Sequence, residues 1–132
     1  MTATASQTFS KRERIVSRKL MEQLFAKGSS MSASAFPLRI VYQPTQRNEV
    51  PVQILVSVSK RHFKHAVDRN RAKRQIREAY RHHKQVLTER IPADTTLAAA
   101  FIWLSDKPCD SSQVSRSMGR LLEKVADSVA SV

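Results

Sequence analysis

The sequence has only one cysteine, Cys109, among its 132 residues. One cysteine excludes an intramolecular disulfide and a zinc site built from a cysteine cluster. No apolar run approaches the roughly 18 residues that a transmembrane helix requires, and the longest, residues 97–104, is the size of a strand. The first residues have no apolar stretch after their charges, so we expect no secretory signal and a cytosolic protein.

Acidic residues are also scarce. The chain has 23 Lys and Arg against 11 Asp and Glu, which gives a formal net charge of +12. Residues 9–28 carry +4, residues 60–90 carry +8, and the rest sum to zero. Such clustering predicts a polyanionic partner, because each neutralised phosphate releases condensed counterions. The alternative is a basic solvated surface that only keeps the protein soluble.

The length predicts one domain, which we place at residues 9–132 after a disordered tail of residues 1–8. Hydrophobic periodicity and turn residues predict its elements in order. These are a helix over 17–27, a connector over 29–34, a strand over 36–43, a turn over 44–51, a strand over 52–60, a helix over 66–89, a strand over 97–104 and a last helix capped within 110–112.

This order predicts an α+β fold, a small mixed sheet packed with helices. The strands over 36–43 and 52–60 suit an antiparallel hairpin, and the helix over 66–89 suits a βαβ crossover, right-handed by the general rule. The strand over 97–104 is apolar throughout, which predicts a central strand covered on both faces. The strand over 52–60 alternates, and we expect its face with Gln53, Leu55, Ser57 and Ser59 to be half-buried and open to a ligand or to water.

The helix over 66–89 has two neighbouring stripes at about 100° per residue. The predicted core stripe comprises Ala72, Ile76, Ala79, Tyr80, His83, Val86 and Leu87. The adjacent basic stripe comprises Arg69, Asn70, Lys73, Arg77, Arg81 and Lys84, with Arg74 at its edge. A basic stripe in this position would border a cleft between the helix and the sheet. Glu78 follows Arg74 by four residues, a spacing that predicts an ion pair.

The densest motif begins with Val58-Ser59-Lys60 and continues with Ala66-Val67 and the run Arg69-Asn70-Arg71-x-Lys73-Arg74-x-x-Arg77-Glu78. It resembles the signature of the bacterial ribonuclease P protein family. Upstream, Leu24-Phe25-x-Lys27-Gly28 is similar to the end of that family's first helix. The resemblance spans about residues 9–104, and Arg-Asn-Arg alone would be a weak signal.

The resemblance implies an α-β-β-(β)-α-β-α order with a left-handed crossover, the fold of ribonuclease P proteins and of the ribosomal S5 domain 2-like group. This contradicts the general handedness rule, and we follow the resemblance. It also implies that the protein is the accessory subunit of an endoribonuclease that removes the 5′ leader of precursor tRNA. The catalytic site and most of the Mg²⁺ would then belong to the RNA subunit, and the partners would be ribonuclease P RNA and precursor tRNA, without DNA or membrane.

Two groups of site residues follow from the resemblance. Those expected at the catalytic RNA are Lys60, Arg61, Arg69, Asn70, Arg71, Lys73, Arg74 and Arg77. Those expected to line the cleft for the leader are Met21, Phe25, Arg39, Ser57, Ser59, Lys73 and Arg77. Aromatic stacking in such a cleft tolerates any base, which suits many leader sequences. Phe25 has an alternative assignment, as a core residue.

The chain departs from the family's pattern at three places. Met21 and Arg39 stand where the family often has aromatic residues, which puts stacking in doubt, although a guanidinium plane can also stack. The link over residues 61–65 lacks the usual glycine and is one residue longer, which affects the loop rather than the assignment.

Other functions are less well supported by the residues. The four histidines, His62, His65, His82 and His83, lie in the most basic segment, which disfavours a metal or acid–base role. Asp68, Glu78 and Glu89 are spread along one helix and form no acidic metal site, so a self-sufficient nuclease is disfavoured. Phe101 and Trp103 are assigned to the core, Phe9 and Phe63 resemble Phe25 with less support, and Cys109 is expected to be inert. The main alternative is a ribosomal or general RNA-binding protein.

Overall fold

The computed structural model describes Glu22, Leu24, residues 31–47 and residues 49–130. The strands are β1 (Met31–Ala35), β2 (Leu38–Gln46), β3 (Val52–Ser57) and β4 (Thr95–Trp103), and the helices are α1 (Ala66–Thr88) and α2 (Ser111–Ala130). Of the first predicted helix, Glu22 and Leu24 are described and both are helical. The tail predicted over residues 1–8 lies outside the described residues.

The four strands form one mixed sheet in the order β1-β2-β4-β3. β1 pairs with β2 and β2 with β4 in antiparallel fashion, whereas β3 and β4 are parallel. This confirms the α+β class, the mixed sheet and the central position of β4. The connection β3-α1-β4 is the predicted crossover, and its hand stays a prediction.

The predicted hairpin between the strands over 36–43 and 52–60 is wrong, because β4 lies between the corresponding strands β2 and β3. The observed hairpin joins β1 to β2, and β1 occupies most of the segment that was predicted as a connector. Its sequence, MSASA, has no large apolar residue besides Met31, so a short edge strand left no hydrophobic alternation to detect. β2 also runs on through Pro44 to Gln46, since its register with β4 continues to Thr95. The predicted turn over residues 44–51 is correspondingly shorter.

Alternation along the strands divides the sheet into two faces. On the face that we call the core face, the β4 residues Leu97, Ala99, Phe101 and Trp103 belong to a single buried cluster with residues of both helices. The ring centroids of Tyr80 in α1 and Phe101 lie 5.8 Å apart. Trp103 donates from Nε1 to the Ser105 carbonyl at 2.8 Å, which satisfies its buried N–H.

The opposite face, which we call the open face, is only partly open. Ala98 and Ala100 of β4 form a second buried cluster with Leu24, and Leu55 of β3 packs against it. Because these alanines are small, Leu24 sits against the middle of the sheet and covers it. β4 is therefore covered on both faces, as predicted, while the prediction of an uncovered open face is correct only away from this centre.

The two helices begin differently, since only α2 has a side-chain cap. Asp110 caps α2: its Oδ1 accepts the Gln113 backbone N–H at 2.9 Å and the Ser112 hydroxyl at 3.0 Å. These two hydrogen bonds, the backbone bond first, lower the pKa of the Asp110 carboxyl below its usual value of 3.8. α1 begins after His65, whose side chain makes no capping hydrogen bond.

The predicted core stripe of α1 is confirmed at Ala72, Ile76, Ala79, Tyr80 and Leu87, which are buried. It is wrong at Val86, which is 36% exposed, and at His83, which is half-buried. His83 instead meets α2, where its Nε2 lies 2.8 Å from the Ser115 hydroxyl oxygen. Lys84, predicted in the basic stripe, is buried with 4% exposure.

Candidate nucleic-acid interface

The loop between β3 and α1 is fastened to α1 by an arginine. Arg69 donates from Nη1 to the carbonyl oxygens of Phe63 at 3.0 Å and Lys64 at 2.9 Å. The Phe63 ring is buried against Trp103, with centroids 6.1 Å apart, so this aromatic is a core residue. The clamp brings Lys60 and Arg61, both exposed, to the start of α1. Arg69 thus holds the loop through one of its two terminal nitrogens.

The first half of α1, residues 66–77, presents cations that have no carboxylate partner among the described residues. Arg71, Arg74 and Arg77 are exposed and Lys73 is half-buried. None of these side chains makes an ion pair with a carboxylate in the part of the chain that the structure describes. Asn70 is exposed among them. The helix therefore gathers its predicted RNA-binding residues on one exposed side.

The two flanks of this exposed side have different neighbours. Gln75 donates from Nε2 to the Cys109 carbonyl at 2.8 Å, which fixes the flank that faces the start of α2. Arg74 lines the open groove between α1 and α2 on that flank. Lys73 and Arg77 lie on the other flank, and α1 contacts β3. The predicted residues thus extend from the β3 edge across the helix to the α2 groove.

One end of the open face remains accessible. Arg39 of β2 and Ser57 of β3 both pair with Ile102 of β4, so the three residues form one row across the sheet. Arg39 is exposed, and Ser57 and Ile102 are half-buried. With strands about 4.8 Å apart, Arg39 and Ser57 lie roughly 10 Å from each other on the same face. The structure thus brings together two of the predicted cleft residues, and Ser59 follows, exposed, just after β3.

Two further cleft predictions, Met21 and Phe25, lie outside the described residues. Leu24 between them is buried against the open face. This placement puts Leu24 on the same face of the sheet as Arg39 and Ser57. The roles of Met21 and Phe25 stay predictions.

Beyond residue 77, the cations of the basic segment are occupied by the protein. Glu78 accepts from Arg81 at 2.7 Å and lies 3.5 Å from His82 Nε2, so the predicted pair between Glu78 and Arg74 is wrong. The Glu78 carboxylate contacts Arg81, which follows it in the helix, rather than Arg74, which precedes it. The hydrogen bond from Arg81 is the main cause that lowers the pKa of Glu78 below 4.5. After the helix, Arg90 pairs with Asp127 of α2 at 2.8 Å.

Sequence reasoning missed a contact between two loops. His62 Nδ1 lies 2.6 Å from Asp106 Oδ1, and the two residues are 44 positions apart. The His62 side chain is 16% exposed and that of Asp106 is 80% exposed. This contact ties the β3–α1 loop to the β4–α2 loop. Only the parallel pairing of β3 with β4, which places both loops at one end of the sheet, could have indicated it.

Among the described residues, no group of three or more His, Cys, Asp or Glu is placed to hold a metal ion. The donor set of this part of the chain does not fit a protein-held Mg²⁺. Cys109 is buried and its Sγ lies 3.8 Å from the Lys107 carbonyl oxygen. No helix in the described ranges is long and apolar enough to cross a membrane.

Comparison with known proteins identifies the family to which the sequence is similar. The sequence profile of the family described as Ribonuclease P matches residues 9–126. The ribonuclease P protein component of Porphyromonas gingivalis is 36% identical over 133 residues, which cover 99% of this chain and 96% of that protein. The ribonuclease P protein component of Chlorobium phaeobacteroides is 41% identical over 81 residues, 58% of this chain and 54% of that protein.

Solved structures agree with the fold. The RNase P protein of Staphylococcus aureus superposes with a TM-score of 0.65 at 21% identity, over 86% of this chain and 94% of that one. The RNase P protein of Thermotoga maritima gives a TM-score of 0.66 at 19% identity, over 86% of this chain and 97% of that one.

Proposed function

The chain belongs to the Ribonuclease P family of protein components, and from that membership we propose that it binds the catalytic RNA and the 5′ leader of precursor tRNA. In this proposal it assists the endonucleolytic removal of the leader, which yields the mature 5′ end of tRNA. The RNA subunit holds the active site and the Mg²⁺. The protein supplies binding and orientation.

The observation that carries the proposal is the set of unpaired cations in the first half of α1. A cation without a carboxylate partner can bind a phosphate without breaking an ion pair within the protein. Arginine suits this role because its planar fork binds two phosphate oxygens at once. Arg71, Arg74 and Arg77 lie on consecutive turns of a rigid helix, so they can follow an RNA backbone.

The leader, in this proposal, lies over the accessible end of the open face. Arg39 offers a guanidinium plane for stacking and Ser57 offers a hydroxyl, while Lys73 and Arg77 lie beyond the β3 edge. Little in this row reads a base by its hydrogen-bonding pattern. The site therefore suits a single strand of variable sequence, as the leaders of many tRNAs require.

The physical contribution of the protein is to offset phosphate repulsion. Two RNAs that approach each other carry like charge, which Mg²⁺ screens when it is abundant. Fixed cations of the protein between them lower the amount of Mg²⁺ that the complex needs. The chemistry supplied by Mg²⁺ is the activation of the attacking water and the stabilisation of the leaving oxygen.

Reconstitution tests the proposal. The purified chain is added to a bacterial ribonuclease P RNA at low Mg²⁺, and cleavage of precursor tRNA is measured. We expect the wild-type chain to restore cleavage and the variant Arg71→Ala/Arg77→Ala to restore much less. The matched control, Arg81→Ala/Arg90→Ala, removes the same charge from paired positions and should behave as wild type. Absence of stimulation by the wild-type chain would refute the function, and tightest binding to ribosomal RNA would favour a general RNA-binding protein.

A further inference from the structure

A second surface of the protein combines an exposed aromatic ring with exposed arginines, far along the chain from the basic helix. Phe36, in the turn between β1 and β2, is 61% exposed, the largest exposure among its aromatic residues that the structure describes. The turn is nonetheless fixed. The Phe36 carbonyl accepts the Ser117 hydroxyl at 2.7 Å, and the Pro37 carbonyl accepts the Leu104 N–H at 2.8 Å. An exposed ring on a fixed backbone is a preorganised stacking surface.

α2 carries cations on the side that contacts the β1–β2 hairpin. Ser117 and Lys124 are both bonded to the β1–β2 hairpin, since Lys124 donates from Nζ to the Ser34 carbonyl at 3.2 Å. Arg120 lies between them on the same helix face, three residues after Ser117 and four before Lys124. It is therefore held next to the Phe36 turn. Arg116 is one turn earlier, and both arginines are exposed.

The charge of this surface was hidden in the sequence, because residues outside the two basic segments sum to zero. The structure separates these charges. Asp127 is paired with Arg90, and Asp106 contacts His62. Asp110 accepts the Gln113 N–H at the start of α2, which is the main cause of its lowered pKa, and the charge of Arg116 contributes to the same lowering. Within the described residues, Glu123 is the remaining carboxylate of α2, and it makes no ion pair with Arg116 or Arg120. The surface is net positive.

We infer that Phe36, Arg116 and Arg120, together called the turn patch, bind nucleotides of the 5′ leader that lie beyond the open face. This inference rests on the proposed function. Arg39, in the accessible row of the open face, stands two residues after Pro37, at the end of the sheet where the turn lies. A single strand that crosses this row leaves the sheet over the turn. There one base stacks on Phe36 while Arg116 and Arg120 bind the adjoining phosphates.

Two features of the turn patch favour the leader over the catalytic RNA as its ligand: its position in the sheet and the types of its residues. The turn patch lies at the end of the sheet that holds the row with Arg39, so a strand can pass around this end from the open face to α2 on the core face. The cations of α1 without a carboxylate partner in the described chain lie at the other edge of the sheet, beside β3. A ring flanked by arginines suits unpaired bases, since a base within a duplex does not offer its face for stacking.

The test uses the reconstituted holoenzyme and precursor tRNAs whose leaders are lengthened one nucleotide at a time. The variant Phe36→Ala/Arg120→Ala should bind the shortest leaders as wild type does. It should lose about tenfold in affinity once the leader is long enough to reach the turn patch. Phe36→Tyr should retain the wild-type affinity and Phe36→Leu should not, because only the ring stacks. Lys107→Ala, which removes an exposed charge from the loop near Asp106, is the matched control.

Each result is decisive. A loss of affinity that appears only with long leaders supports the inference. An equal loss for every leader length and for mature tRNA would place the turn patch on the catalytic RNA or the tRNA body and overturn it, as would no loss at any length. Thermal melting of the free variant verifies its folding. If the wild-type chain failed to stimulate the RNA, the proposed function would fall first, which keeps the two failures distinct.

Discussion

The two halves of α1 both carry cations, but the surroundings of those cations differ. In residues 66–77, Arg71, Lys73, Arg74 and Arg77 have no carboxylate partner in the described chain. In residues 78–88, Arg81 is bonded to Glu78 and Lys84 is buried. Just beyond, Arg90 is bonded to Asp127. We expect the first half to offer its charge to RNA, whereas the cations of the second half contact the protein itself.

The comparison shows that the net charge of a segment overstates the charge that is available to bind RNA. Residues 60–90 carry +8 by count, yet part of that charge is spent on contacts within the protein. The availability of a cation depends on the neighbours that the fold supplies. Five measurements test whether the two halves of α1 differ in this way.

The largest effect is expected in the first half. Replacing Arg71, Arg74 and Arg77 together by Ala should weaken binding to the catalytic RNA by about 3 kcal/mol or more, since each such contact contributes about 1–3 kcal/mol. The free energy of unfolding should change by less than about 0.5 kcal/mol, because the side chains are exposed and unpaired. Equilibrium filter binding and urea denaturation measure the two quantities. A large loss of stability with intact RNA binding would reverse the assignment of this half.

Lys84 should show the opposite behaviour. Its stem is almost completely buried, so Lys84→Ala should lower the free energy of unfolding by about 2 kcal/mol through lost packing. The affinity of the folded variant for RNA should stay within about twofold of wild type. Lys84→Met, which keeps an apolar stem and removes the charge, separates the packing effect from the charge effect. An RNA affinity that fell as far as in the first-half variant would contradict the division.

The pair between Arg90 and Asp127 should contribute less. Both side chains are substantially exposed, 48% and 76%, and exposed ion pairs contribute about 0.2–1 kcal/mol. A double-mutant cycle with Arg90→Ala and Asp127→Ala measures the coupling free energy, which we expect within that range. A coupling of zero would show that the contact between the segment after α1 and α2 needs no ion pair.

The smallest expected effect is on the stability of the fold at low pH. The hydrogen bond from Arg81 lowers the pKa of Glu78 in the folded protein below 4.5. A lowered pKa stabilises the fold above pH 4.5, and this contribution is lost as the pH falls through the folded value. Wild type should therefore lose slightly more stability than Glu78→Gln between pH 5 and pH 3, roughly the window in which carboxyls titrate. Identical pH dependence of the two melting curves would mean that the contact has no effect in solution.

The sequence predicted what depends on local pattern. The 23-residue α1, the apolar β4 and the Asp110 cap were all visible as periodicity or as a capping residue. The hairpin was mispredicted because strand order depends on pairing across the sheet, which no local pattern encodes. β1 was missed because its small residues have no apolar alternation.

The sequence named the candidate residues, and their binding roles stay predictions. The motif around Arg69 indicated the family, yet the clamp from Arg69 to the Phe63 and Lys64 carbonyls depends on how the loop folds back. The pair between His62 and Asp106 and the exposure of Phe36 required the relative positions of distant segments. Ion pairs between distant residues are tertiary contacts. The number of cations can therefore be read from the sequence, but which of them have carboxylate partners cannot.

The slope of log affinity against log salt concentration tests the division most directly, because it counts the phosphates that the protein neutralises. Arg71→Ala/Arg77→Ala and Arg81→Ala/Arg90→Ala remove equal charge from the unpaired and the paired positions. The first variant should bind the catalytic RNA with a slope shallower by about 1.4–1.8, at about 0.7–0.9 per phosphate, and the second should keep the wild-type slope. Equal reductions in the two variants would show that the RNA responds only to total charge, and would contradict a distinct role for the first half of α1.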